Sequence, residues 1–412
     1  MLIRFEVANF RSVLEPVELS MVAVDRDRPE ARPVPNLNES LLPVAAVYGP
    51  NASGKSNVLA ALNWLITAVA ESLRFWEETI PVEPFAFAGG PSRPSEFTVE
   101  SVVSGVRFGY VVELDRERVH YEGLFHYPEK KRKRIFELEG GKLTLQRGLG
   151  SLSGTRELLT PRTLALSVAR RFGEPLVSGF VRGLLDTDAF GANRRASFLP
   201  SRRTQHWFDG ADHDLREEDR AQALAMLRLA DLGIHDVVVD DHEFPPHPEK
   251  ASRRFGARRR VRLVHRTAEE RVPFDLHDES EGTRTWFGLI GPVLTALRRG
   301  SLLLFDELDA SLHPTLSAEL IRLFHDPATN PQGAQLIFTS HDTSLLNHLN
   351  RDEVWLTEKT GKGSTRLGAL AEFAGERVRR SRNLENAYLH GRFGALPDVD
   401  RTELLRVLGL IG

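Results

Sequence analysis

Residues Gly49-Pro50-Asn51-Ala52-Ser53-Gly54-Lys55-Ser56 constrain this chain more than any other segment. They match the pattern G-x-x-x-x-G-K-[ST], a loop whose backbone N–H groups wrap a phosphate. The context agrees. Val44-Ala45-Ala46-Val47-Tyr48 before it reads as a short buried strand, and a helix is expected from about Asn57 to Phe75. A strand feeding a glycine-rich turn and then a helix belongs to an α/β sheet, and the helix N-terminus adds positive potential at the phosphate. Gly49 to Ser56 and Asn57 are therefore candidate nucleotide-binding residues. Lys55 would reach the β- and γ-phosphates, and the Ser56 hydroxyl would ligate magnesium.

Leu302-Leu303-Leu304-Phe305 is an apolar strand that ends in Asp306-Glu307. An acid at the end of a buried strand is placed to hold magnesium, which is the role expected of Asp306. Glu307 is the neighbouring acid able to polarise an attacking water. The plainer reading is a strand whose polar end starts a turn. Ser280-Glu281-Gly282-Thr283 opens a helix shortly before that strand. A small hydroxyl and a glycine at a helix N-terminus form a second anion site or simply a cap. His341 follows the strand Gln335–Thr339 in the segment FTSHD, where it is either structural or a sensor of a γ-phosphate.

The order of these segments resembles the ABC-type ATPase head, and within it the SMC/RecF-like branch. Ile3-x-Phe5-x-Val7-x-Asn9-Phe10-Arg11-Ser12 is similar to that branch's first strand, and Asp306-Glu307-Leu308-Asp309-Ala310-Ser311-Leu312 to its Walker B and D-loop. His313-Pro314 stands where SMC proteins usually carry Asp. The signature Ser280–Thr283 and the stretch Tyr388-Leu389-His390-Gly391-Arg392-Phe393-Gly394-Ala395-Leu396-Pro397 resemble bacterial AAA-labelled ATP-binding proteins of the abortive-infection AbiLi type, which often sit beside RloB-like or other nuclease effectors. The resemblance implies ATP and Mg2+ as ligands and a head-to-tail homodimer or higher oligomer. Each ATP would lie between one chain's Gly49–Ser56 loop and the other's Ser280 and Gly282. Asp309 belongs to the D-loop. Arg11 either contacts the nucleotide or is a solvated strand-end arginine. No Gln of the Q-loop type is evident, and Pro84-Phe85-Ala86-Phe87 is the segment expected to replace it.

The expected fold class is thus α/β, an ABC-type P-loop ATPase head split by a mixed, largely helical insertion. Residues 1–130 would carry the P-loop and an antiparallel β meander over 96–125. Residues 131–270 would form the insertion, with helices over Leu158–Arg171 and Glu217–Leu232 and a loop over Asn193–Asp214. Residues 271–412 would complete the head. The 412-residue length suits two or three such units.

Composition narrows the function. With no Cys, thiolate zinc sites, iron–sulfur clusters, disulfide scaffolds and a Cys nucleophile are excluded. The N-terminal stretch has Arg4 and Glu6 inside its only apolar run, unlike a signal peptide. No window of 18 uncharged apolar residues exists, so no membrane partner is expected and a cytoplasmic location is. Net charge is −3, from 54 Lys and Arg against 57 Asp and Glu. Two basic stretches stand out locally: Lys130–Arg134, and a cluster of Arg253, Arg254, Arg258, Arg259, Arg260, Arg262 and Arg266. Each fits nucleic acid, an acidic protein or a solvated face, which for the first would be a hairpin tip. Asp212, His213 and Asp214 are the nearest thing to a second metal cluster, and a polar loop explains them as well. The expected function is an ATP-hydrolysing switch acting on a separate effector, a nuclease or toxin, in phage defence. The alternative is a RecF- or SMC-like DNA-binding ATPase of repair or chromosome maintenance.

Overall fold

Strand Val44–Tyr48 is buried along its whole length. It lies inside a six-stranded sheet, in the order Asp188–Phe190, Leu302–Phe305, Gln335–Thr339, Val44–Tyr48, Val354–Lys359, Thr365–Ala369. The first five run parallel, and Thr365–Ala369 closes the edge antiparallel. LLLF, VAAVY and QLIFT are uninterrupted apolar runs because both faces of a parallel sheet are covered. Ala45, Val47, Leu304 and Ile337 belong to one core, and Val44, Ala46, Leu303, Phe305 and Phe338 to another. This computed structural model describes residues 1–34, 36–191, 202–209, 217–231, 233–241, 259–373, 384–389 and 406.

The first core joins the parallel sheet to a seven-stranded antiparallel one, in the order Lys142–Leu145, Lys133–Glu139, Val119–His126, Val106–Leu114, Ser95–Val103, Leu2–Ala8, Val17–Ser20. Helix Lys55–Phe75 packs between the two sheets through Val58, Leu62, Leu65 and Val69. By length and composition this helix would be long and apolar enough to cross a membrane, but here its apolar side is core.

The second core holds helices Arg202–Asp209, Glu217–Ala230 and Glu281–Arg299, together with the three-stranded sheet of Ile234–Asp241, Arg259–Arg266 and Arg271–Asp275. Trp207, Met226 and Leu227 meet Trp286 and Phe287 there, and the Trp286 indole donates to the Met226 carbonyl at 2.7 Å.

Four expectations change. The antiparallel sheet does not stop at residue 130 but continues through Leu145, because KRIFELE alternates like a strand. Asp188–Phe190, from the middle of the chain, joins the parallel sheet beside Leu302–Phe305. The helix expected over Leu158–Arg171 is broken into Thr155–Leu158 and Ala165–Ala169, since Pro161 and the extended Leu159 before it interrupt the helical backbone. Within Asn193–Asp214, residues 202–209 form a helix rather than a loop. The rest of that stretch lies outside the described residues, Asp212, His213 and Asp214 included.

Candidate nucleotide-binding site

The loop begins where the buried strand Val44–Tyr48 ends, and the helix starts at Lys55. Gly49 and Gly54 have φ of 152° and 106°, and a Cβ at either would strike the strand pair Val354–Lys359 and Thr365–Ala369 at the edge of the six-stranded sheet: the Thr357 carbonyl oxygen at Gly49, the Thr365 hydroxyl at Gly54. Only glycine fits both the backbone and the space. The strand pair braces the loop further. Ser53 Oγ and Thr357 Oγ1 lie 2.6 Å apart, and Thr365 Oγ1 donates to the Ser53 carbonyl at 2.8 Å. On the other side Asn57 Nδ2 donates to Ser12 Oγ at 2.7 Å. Lys55 is buried, and its Nζ donates to the carbonyls of Gly49 (2.9 Å) and Pro50 (3.2 Å). Burial lowers its pKa, opposed by the charges of Glu307, Asp306 and Asp309. A buried cation facing three acids is a site built for a polyanion and a divalent metal together.

Asp306 follows the fully buried strand Leu302–Phe305 and is itself buried. Its N–H donates to the Phe190 carbonyl at 2.8 Å. One carboxyl oxygen accepts from Thr339 Oγ1 at 2.7 Å, and the same hydroxyl accepts from the Glu307 N–H at 2.7 Å. Thr339 thus fixes both acids from the neighbouring strand. Glu307 has φ 58° and ψ 59°, a left-handed conformation that a non-glycine residue adopts at some expense and that clusters at functional sites. Asp309 accepts from the His341 N–H at 3.1 Å.

A cleft of about 510 Å³ opens at this point, lined by Ser12, Asn51, Ala52, Gly54, Lys55, Ser56, Asn57, Glu307, His341 and Lys359. Its size falls within the range of small-ligand sites. A smaller cavity of about 40 Å³ is bordered by both Ser56 and Asp306. Hard divalent cations take oxygen ligands, so the hydroxyl and carboxyl that share this cavity fit magnesium.

Other expected residues are placed elsewhere. Ser280, Glu281, Gly282 and Thr283 do not line the cleft. Ser280 caps helix Glu281–Arg299, its hydroxyl accepting from the Thr283 N–H at 3.1 Å. Arg11 turns to Glu83, with its guanidinium 3.0 Å from the carboxylate and its N–H bonded to the Glu83 carbonyl at 2.7 Å, so the cleft is reached by its neighbour Ser12 instead. Pro84–Phe87 packs on the first strand, the Phe85 N–H donating to Asn9 Oδ1 at 3.1 Å. The segment that reaches Asp306 is Asp188–Phe190. His313 caps helix Pro314–His325 through its ring nitrogen, which explains a His-Pro pair at that place. Asp275, His277 and Asp278 come together as a possible metal trio, but Asp275 is held by Arg260. Tyr388 meets Tyr48 edge-on, with ring centroids 6.1 Å apart, and residues 390–397 lie outside the described residues.

Ser12, Thr339, Thr357, Thr365 and Lys359 are additions to the site. Ser12 ends the first-strand stretch and Thr339 lies just before His341. No motif marks the other three.

Among solved structures, the chain is similar to an Smc head bound to the C-winged helix domain of ScpA, with 12% identity over 92% of this chain and 99% of that one, at a TM-score of 0.46. It is similar to the SMC head domain from Thermotoga maritima (14% identity, 89% and 98% coverage, TM-score 0.41). A third is the Smc head domain with an extended coiled coil bound to the C-terminal domain of ScpA derived from Pyrococcus furiosus (11%, 90% and 97%, 0.43). A search of curated proteins finds no match. The family profile described as "AAA domain, putative AbiEii toxin, Type IV TA system" matches residues 44–347, from the first residue of the P-loop strand to beyond His341, and the chain belongs to that family.

Proposed function

We propose that this protein binds and hydrolyses Mg-ATP as a homodimer and uses the nucleotide state to control a separate effector. The observation that carries the reading is the convergence of Lys55, Ser56, Glu307 and His341, from distant parts of the chain, on one cleft. The backbone of Gly49–Gly54 and the Lys55 ammonium bind the phosphates. Ser56 and Asp306 would hold the magnesium, which would neutralise phosphate charge there. Glu307, fixed by Thr339, takes the proton of the attacking water, and His341 donates a hydrogen bond toward the γ-phosphate. Ser280 and Gly282 of the facing copy complete the site. Their placement away from their own cleft supports this.

The effector reading draws on the resemblance of Ser280–Thr283 and Tyr388–Pro397 to abortive-infection ATP-binding proteins, while the family description, a putative toxin of a type IV toxin–antitoxin system, agrees with a toxin system without naming a separate effector. It makes this chain the ATP-driven control element of an anti-phage system in the cytoplasm, with a nuclease or toxin as a separate polypeptide. The second reading, a DNA-binding ATPase of the RecF or SMC kind, shares the same nucleotide chemistry. The test is turnover with Mg-ATP combined with mass measurement in solution. Release of phosphate by an ATP-dependent dimer is expected. A chain that stays monomeric with Mg-ATP and hydrolyses none overturns the reading.

A further inference from the structure

We propose that the tip of the hairpin made by Val119–His126 and Lys133–Glu139 is a docking point for the phosphate backbone of a nucleic acid. The tip carries five consecutive cations, Lys130 to Arg134, and all are exposed. Arg134 is paired with Glu137, but Lys130, Lys131, Arg132 and Lys133 make no ion pair among the described residues. Four cations this close repel one another unless an anion joins them. The turn is held in shape by Glu129 and Lys130, both left-handed at φ 53° and 66°. The Arg132 guanidinium lies over the Phe125 ring at 3.7 Å, and Arg107 lies over Tyr127 at 4.8 Å. Stacking of this kind sets a planar head in place before a phosphate arrives.

The described part of the other basic cluster shows that such a run need not be a site; Arg253, Arg254 and Arg258 lie outside the described residues. Arg260 forms a two-pronged pair with Asp275, and Arg262 pairs with Asp240. Those arginines hold a three-stranded sheet together. Lys130, Lys131 and Lys133, by contrast, pair with no acid among the described residues, and Arg132 meets only an aromatic ring. Nucleic acid fits better than an acidic protein patch because the tip is narrow and charged on both sides. Arg132 lies on the Phe125 face, while Lys133 stands opposite His126. Neighbours on an extended chain face opposite ways. A flat patch of carboxylates meets one of those faces, whereas a nucleic-acid groove has phosphates along both walls.

The tip lies at the end of the antiparallel sheet away from the nucleotide. Ala8 pairs with Glu96, and Leu114 with Val119, at the cleft end; Phe108 pairs with His126, and His126 with Lys133, at the other. Strands of this length separate the ends by about 25 Å. Contact at the tip therefore leaves the ATP cleft open and is independent of the effector reading.

The test uses the full chain, a duplex DNA, an RNA hairpin and poly-glutamate in fluorescence anisotropy over a salt series. Four neutralised phosphates give a log–log salt slope near −3.6 on duplex DNA, so affinity should fall about 100-fold between roughly 50 and 200 mM salt. The variant Lys130→Ala/Lys131→Ala/Arg132→Ala/Lys133→Ala should lose most of that slope while retaining the wild-type ATP turnover, which also reports its fold. Arg260→Ala should leave the slope unchanged. Binding to the DNA alone, the RNA alone or both identifies the polymer and supports the proposal. It is overturned if the wild type binds neither at low salt, if the quadruple variant keeps the full slope, or if poly-glutamate binds as tightly as the nucleic acids.

Discussion

The nucleotide cleft opens at the ends of the parallel strands, whereas the helix Glu281–Arg299 that Ser280 opens packs on one face of that sheet, and the two regions are built differently. The cleft draws Ser12, Lys55, Glu307, His341 and Lys359 from both ends of the chain, and every catalytic candidate there has a brace. At the other region, Ser280 and Thr283 bond only to each other and to their own helix, Oγ to Oγ1 at 2.9 Å. One region gathers its side chains within a single chain; the other is a capped helix end that does not line that cleft. The difference teaches that a motif can be fully folded and still lack its chemical context. It also makes the two regions separable by mutation.

The largest expected effect is in the cleft. Glu307→Gln keeps the size of the side chain and removes its base, so turnover should drop about 100- to 10,000-fold with ATP still bound. Single-turnover phosphate release measures it, and near-normal turnover would take the role from Glu307. Lys55→Ala should weaken ATP by about 10- to 100-fold in calorimetry, the value of one hydrogen bond to a charged group. The fold should survive, because the Lys55 ammonium bonds only to the carbonyls of Gly49 and Pro50 in its own loop.

The comparison is sharpened by mixing. Ser280→Ala should bind ATP normally and fail to turn it over, because its own cleft is untouched. Mixed in equal amounts with Lys55→Ala, half the dimers carry one intact pair of P-loop and signature, so about a quarter of the wild-type rate should return. Verified heterodimers with no recovered turnover would mean that the signature does not act across the interface.

The cleft was legible in the sequence as far as its motifs are contiguous. Gly49–Ser56 and Leu302–Glu307 each declare themselves within eight residues, and the strands before them and the helix after the loop form as expected. Their braces were not legible. Thr357 and Thr365 are single hydroxyls brought to Ser53 by sheet pairing across more than 300 residues, and nothing local distinguishes them from other strand threonines. Arg11 reads either as a nucleotide contact or as a solvated strand-end arginine, because its neighbourhood in sequence is also its neighbourhood in space, and only the side-chain direction, toward Glu83, separates it from Ser12. Arg260 and Arg262 read as a patch until strand register put Asp240 and Asp275 beside them, each arginine pairing with the acid diagonal to it. Charge runs are interpretable only once their partners across the sheet are known.

The smallest effect concerns the signature lobe alone. Pro292 lies inside helix Glu281–Arg299, and a proline there has no N–H for the carbonyl of Gly288. Thr204, from the adjacent helix, fills the gap: its hydroxyl donates to the Gly288 carbonyl at 3.4 Å and accepts from the Gly291 N–H at 2.9 Å. Thr204 is fully buried, so no water replaces it when the hydroxyl is lost. Thr204→Val keeps the shape and leaves both backbone groups unpaired, which costs about 1–3 kcal/mol. In a chain of this size that lowers Tm by only a few degrees, at roughly 2–4 °C per kcal/mol or less. ATP affinity should not change, since Thr204 braces the signature helix and not the cleft. Thermal unfolding with and without Mg-ATP measures both quantities together: the two curves should move down in parallel, keeping the nucleotide-induced shift of the wild type. If Thr204→Val loses that shift, the signature helix supports nucleotide binding in its own chain, and the two regions are not separable.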